Sequence, residues 1–274
     1  MGNYAKNISK RIDHTKITTG YCLICGEYKK LSQDHVPPQG AITISKIEQK
    51  LIGEAMGERS PDIRGVVSKN GSKFKTICKD CNSKLGEFDS EITRVCAILT
   101  PIVKNYFQTA TDMLNVKRIE IDAISYMRAM IGHVLSATTV KECEEPQRHS
   151  PYFTPLIQFV LGDNDAINTT HDIYYWFYPY KRHLSAKIIF FYNEGNSCCL
   201  SLLSFFPIAF LITEKNKGVY PVHAQKLTTE SNSLILDLSS HNINYVNFPF
   251  VNLVGNQFYM MSDQVCTMSY PIGQ

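Results

Sequence analysis

The sequence predicts an α+β protein, and three observations carry that expectation. Two Cys-x-x-Cys pairs, Cys22/Cys25 and Cys78/Cys81, bracket a short region of strand character. Two stretches with apolar residues at helical spacing follow, and beyond Pro146 the chain changes to short aromatic and β-branched runs punctuated by Gly, Asn and Pro. The expected organisation is a small zinc-stabilised unit over 1–95, then an α+β region over 96–274, helical first and mostly strand after that. The second region would serve recognition, regulation or assembly, with a second copy or a regulatory protein as its candidate partner.

Composition sets the class. Of 274 residues, 44% are apolar and 19% charged, the balance of a folded globular chain and not of a disordered one. The net charge of +3 is unevenly spread: residues 1–95 hold 16 Lys/Arg against 11 Asp/Glu, residues 96–274 hold 12 against 14. The basic excess therefore accompanies the cysteine pairs, a mild footprint for a polyanionic partner that also lies within ordinary surface charge. Nine cysteines, an odd number with four in Cys-x-x-Cys pairs, fit metal thiolates and buried free thiols in a reducing compartment better than a disulfide framework. The N-terminus has no apolar core, and the longest apolar run, Cys198 to Thr213, is short and broken by Ser201, Ser204 and Pro207. No membrane segment is expected, and the sequence predicts a cytoplasmic protein.

In chain order, residues 1–20 read as a basic arm. Tyr21 to Glu27 reads as a zinc knuckle in which Gly26 supplies the permissive backbone position after Cys25. Leu31 to Val36 is expected as a strand, stopped by Pro37-Pro38. Ile44 to Met56 places Ile44, Ile47, Leu51 and Ile52 at helical spacing and predicts a helix, followed by a loop or hairpin. Arg64, Lys69, Lys73, Lys75 and Lys79 have no acid among them; they suit either a phosphate-contacting surface or a solvated basic loop. From Asn82, the stripe Leu85, Phe88, Ile92, Val95 and Leu99 predicts a helix opened by the second cysteine pair, and a second helix is expected over Asp122 to Ala137. His133, inside the latter, reads as an ordinary partly buried side chain. Strands are predicted at 173–180, 186–192, 199–206, 208–213, 233–238 and 257–261, with Asn193 to Asn196 as a hairpin turn. The alternating aromatics Tyr174 to Tyr180 read as a strand buried on both faces, or as a base-stacking platform beside Lys181 and Arg182.

Two chemistries meet in the first third. Four thiolates from two Cys-x-x-Cys turns can close a tetrahedral structural zinc site with no open position. Asp34-His35, between the pairs, and Asn82, directly after the second, offer a carboxylate, a base and an amide oxygen. Phosphodiester hydrolysis asks for such groups: a base for water, and oxygen ligands for a divalent cation.

In this order, Cys-x-x-Cys, Asp-His, Cys-x-x-Cys-Asn, the segment Cys22 to Glu91 resembles the HNH, or ββα-metal, endonucleases with an embedded four-cysteine zinc site, of the phage recombination endonuclease VII type. The resemblance implies a ββα-metal domain. It further implies His35 as general base, Asp34 and Asn82 as ligands of one Mg2+ or Mn2+, Cys22, Cys25, Cys78 and Cys81 on zinc, and DNA as the substrate, with RNA the alternative. Where many such sites carry a third cation ligand one turn after the Asn, this chain has Leu85 and Gly86. Asp89 lies on the same face about 10 Å further along the helix and is the remaining candidate ligand. A defence or toxin effector is the role the arrangement suggests by analogy, a mobile-element or homing nuclease its rival. The competing reading is a zinc-stabilised nucleic-acid-binding or interaction module without catalysis.

Overall fold

The computed structural model of the chain describes residues 17–42, 46–56, 64–109, 114–193, 195–239, 245–247, 249–250, 256–259 and 266–272. The expected basic arm falls mostly outside them, and its last residues begin β1. Strands β1 (Thr19–Tyr21), β2 (Tyr28–Val36) and β5 (Ser72–Cys78) form a small antiparallel sheet in the order β1-β2-β5. The chain passes from β5 straight into helix α2 (Lys79–Gln108), whose first turn is capped by the Cys78 sulfur accepting from the Cys81 amide at 3.5 Å.

Between β2 and β5 lie β3 (Lys46–Leu51), the short helix α1 (Ile52–Met56) and β4 (Val66–Lys69). The helix expected over 44–56 is thus mainly a strand. Residues 46–51 carry the ambiguous pattern of a short apolar run, and pairing decides it: β3 bonds β4 on one side and β14 (Cys266–Pro271) on the other, with Leu51 opposite Thr267. Long-range ladder bonds and burial of Ile47 and Leu51 outweigh the local helical preference. The turn at Asn70-Gly71, both with positive φ, then returns the chain to the small sheet.

The large sheet runs β11 (Gln225–Leu227), β7 (His171–Phe177), β10 (Ile208–Glu214), β9 (Asn196–Phe205), β8 (His183–Asn193), β14, β3, β4, with β13 (Asn256–Tyr259) also pairing β8. Every pairing is antiparallel. All seven residues of β7 are buried, as a strand covered on both faces requires. Ile173, Tyr175 and Phe177 enter one apolar cluster, Tyr174 and Trp176 another. The base-stacking alternative is set aside by that burial. Asn193 pairs with Asn196 across the expected hairpin turn.

Helices α3 (Ala123–Ser136) and α4 (Phe153–Leu161) lie on the first of those clusters with α2. Asp122 caps α3 by accepting from the Ser125 amide at 3.1 Å. α2 and α3 pack closely at Gly132, where an added Cβ would fall 2.4 Å from a Leu85 methyl. Strand β6 (Val116–Glu120) pairs with β12 (Ser233–Asp237) as a separate ribbon. The architecture is mixed α+β. The expected boundary at 95/96 falls inside α2, and residues from both sides of it share one core. No described helix is long and apolar enough to cross a membrane.

Candidate active site and metal centre

The knuckle is built by backbone bonds. The Cys22 amide donates to the Glu27 carbonyl at 3.0 Å and the Gly26 amide to the Cys22 carbonyl at 2.9 Å, closing a turn that needs the positive φ of Gly26. The Leu23 amide donates to the Thr76 carbonyl at 3.0 Å, which docks the turn against β5. Sulfurs of Cys22, Cys25, Cys78 and Cys81 consequently lie within 4.8 Å of one another. Cys25 and Cys78 sulfurs are 3.8 Å apart. A tetrahedron with metal–sulfur bonds of about 2.3 Å has edges of about 3.8 Å, so the donor set fits zinc in chemistry and size. Backbone amides of Ile24 and Cys78 donate to the Cys22 sulfur at 3.5 and 3.2 Å, the stabilisation a thiolate ligand requires.

The same fold presents Asp34, His35 and Asn82. Asp34 pairs with Phe74 and His35 with Lys73, so the alternation of β2 turns Asp34 inward and His35 outward. Register between β2 and β5 shifts between Ser32 and Asp34, leaving Gln33 alone opposite Lys75 and Thr76. Asn82, in the first turns of α2, fills that irregularity: its amide nitrogen donates to the Gln33 carbonyl at 2.9 Å and to the Ser32 hydroxyl at 3.0 Å. This leaves its amide oxygen as the group's remaining donor atom for a cation.

Asp34 is 3% exposed. One of its carboxylate oxygens accepts from the Ser136 hydroxyl at 2.7 Å and lies 3.1 Å from His133 Nδ1. His133 Nε2 lies 2.7 Å from the Asp89 carboxylate. The side chain read from sequence as partly buried is therefore fully buried and holds a carboxylate on each nitrogen. Burial opposes its charge, but Asp34 and Asp89 outweigh it and raise the pKa to about 10. His133 is an imidazolium that ties β2, α2 and α3 together. Its partners are 99 and 44 residues away, and only Asp89, already singled out as an acid facing the site, pointed toward it.

His35 is different. Its ring is half-buried and meets no side-chain partner among the described residues. Burial first, then the neighbouring Lys73 and His133, lower its pKa against the opposing effect of Asp34. The ring is held neutral near pH 7. Of the five basic residues, Lys73 stands directly across from His35 and Lys75 follows on the same face of β5. Lys79 is exposed at the start of α2, whereas Arg64 and Lys69 are exposed on or beside β4, in the large sheet.

No protein-family model, curated protein or solved structure matches the chain. The chemistry of the site therefore rests on the residues themselves. Among the described residues, the four cysteines are the one group of three or more His, Cys, Asp or Glu side chains close enough to share a metal ion. Asp89, the remaining acid candidate, is engaged by His133.

Proposed function

We propose that the chain is a metal-dependent HNH-type endonuclease that hydrolyses phosphodiester bonds in DNA. The observation that carries this reading is His35. Burial and the Lys73 charge favour its neutral form, and it stands near the end of β2 directly across from Lys73. Asp34, the next residue on β2, is bonded to His133 and Ser136, and Asn82 is bonded to Ser32 and Gln33 of the same strand. A general base must be neutral and within reach of its proton donor.

In the proposed reaction a ring nitrogen of His35 takes a proton from water as the water oxygen bonds to phosphorus. The phosphorus–oxygen bond to the leaving sugar breaks, and that oxygen takes a proton from solvent. Lys73 and Lys75 hold the neighbouring phosphates by charge. Asp34 and Asn82 offer hard oxygen donors that suit Mg2+ or Mn2+, which when bound would offset charge on the phosphate oxygens. Ser136 and His133 fix the Asp34 carboxylate, so its orientation need not be established at each turnover.

One observation favours the second reading, a zinc-stabilised binding module. The Asp34 oxygen bound by His133 and Ser136 is already fully used. The deciding experiment incubates supercoiled plasmid with wild type and His35→Ala, with and without Mg2+, while bound zinc is measured. Zinc in both proteins and nicking only by wild type with Mg2+ is expected. Plasmid binding without cleavage, unchanged by His35→Ala, would establish the binding module instead.

A further inference from the structure

A cleft of about 580 Å3 opens between the large sheet, α3, α4 and the strap of residues 139–150 that follows α3. Its walls include neither His35, Asp34 and Asn82 nor any of the four knuckle cysteines. The strap is fastened once to β5 and once to the knuckle. Cys143 donates its thiol to the Thr76 carbonyl at 3.5 Å, and Gln147 donates its side-chain amide to the Cys22 carbonyl at 3.0 Å.

One wall is apolar, formed by Leu23, Leu135, Phe153 and Ile157. Lys187 lies at the base, its side chain 8% exposed and paired with the Glu142 carboxylate. Glu142 also accepts from the Thr138 hydroxyl. The Lys187 ammonium stands 5.2 Å from the centre of the Phe153 ring. β8 and β9 change register between Ala186 and Ile189, so Lys187 falls in a bulge, the irregularity by which a strand re-aims a side chain. An ammonium has three donors, and burial of an ion pair is offset only when its remaining hydrogens are also bonded. Lys141 and Arg148 are exposed at the rim, with Arg148 paired to Glu145 at 3.1 Å. Three cations thus face two carboxylates, and each carboxylate is already matched to one of them.

We propose that this cleft binds a small anion carrying a flat ring. The ring would lie against Phe153 and Ile157, and a phosphate or carboxylate would be taken by Lys187 with Lys141 and Arg148. The volume is that of a small-molecule site. No residue proposed to act at His35 lines the cleft.

Isothermal titration of the zinc-loaded full chain tests this with two probes, AMP for a phosphate and indole-3-acetate for a carboxylate. Adenosine and inorganic phosphate serve as the two halves of the first. One-to-one binding of AMP or indole-3-acetate is expected, with each half weaker by about tenfold or more. Lys141→Glu, at the exposed rim, should weaken binding about tenfold, Lys104→Glu on the surface of α2 should not, and Lys187→Met should abolish it. Should Lys187→Met fail to fold, the rim variant decides. No binding of either probe at millimolar concentration would overturn the proposal. So would binding that Lys141→Glu leaves unchanged.

Discussion

His133→Gln removes the charge that two inward-facing carboxylates share while keeping a polar side chain of similar size. The magnitude follows from linkage. An unfolded histidine titrates near 6.5, whereas His133 is raised to about 10 by Asp34 and Asp89 against the cost of burial. A folded pKa above the unfolded one contributes stability that is complete below about pH 6.5 and is lost as pH rises through about 10. At about 1.4 kcal/mol per pKa unit the full contribution is about 5 kcal/mol, and at pH 7 about 4 kcal/mol. That agrees with the roughly 3–5 kcal/mol expected when one partner of a buried ion pair is removed. Urea unfolding of the zinc-loaded protein, followed by the fluorescence of Trp176, the chain's single tryptophan, measures it. Wild type should exceed His133→Gln by about 4 kcal/mol at pH 7, and the gap should narrow by about 2–3 kcal/mol at pH 9. A gap below about 1 kcal/mol, or one that does not change with pH, would mean that His133 is an ordinary neutral core histidine.

Two further outcomes are expected. Cys78→Ser removes a thiolate that also caps α2, so zinc content should fall well below one per chain and helical ellipticity should drop with it. A variant that keeps both would argue against a four-thiolate site. Acid should act through His171 and His183, both lowered to about 4 by burial. Their neutral forms are the ones the fold accepts, so their contribution is complete above about pH 6.5 and disappears as pH falls toward 4. Together they should cost about 3–4 kcal/mol between pH 7 and pH 5. His183→Leu should remove about half of that slope, and a wild-type unfolding midpoint that is flat over this range would exclude the effect.

What could be read from the sequence is what depends on neighbours a few residues apart. The two Cys-x-x-Cys turns, the stripe from Leu85 to Leu99 and the doubly buried β7 each carry their signal within one element, and the structure has them where that signal places them. One misreading is local, the helix α4 in the stretch after Pro146 where the sequence predicts strands directly; the others are long-range. β3 looked helical because its strand character comes from β14, more than 200 residues later. β14 itself, Cys-Thr-Met-Ser-Tyr-Pro, is a short alternating run held between β8 and β3 by pairing, with Cys266 and Met268 in the core and Thr267 bonded to Ser185. His133 looked unremarkable because its two carboxylates come from other elements.

These three are parts of one arrangement. The segment separating His35 from Cys78 enters the large sheet through β3, and the carboxylate beside His35 is neutralised from α3. The knuckle fixes one end of β2 and β5 near the cysteines. At the other end, Ser72 on β5 bonds Ser269 on β14 at 2.7 Å, hydroxyl to hydroxyl. The His35 strand is therefore clamped between a site that can hold zinc and the sheet of the chain's second half. A change in the second half that shifts β14 or α3 would reach β2 by two routes, through Ser72 opposite Val36 and through the His133–Asp34 bond.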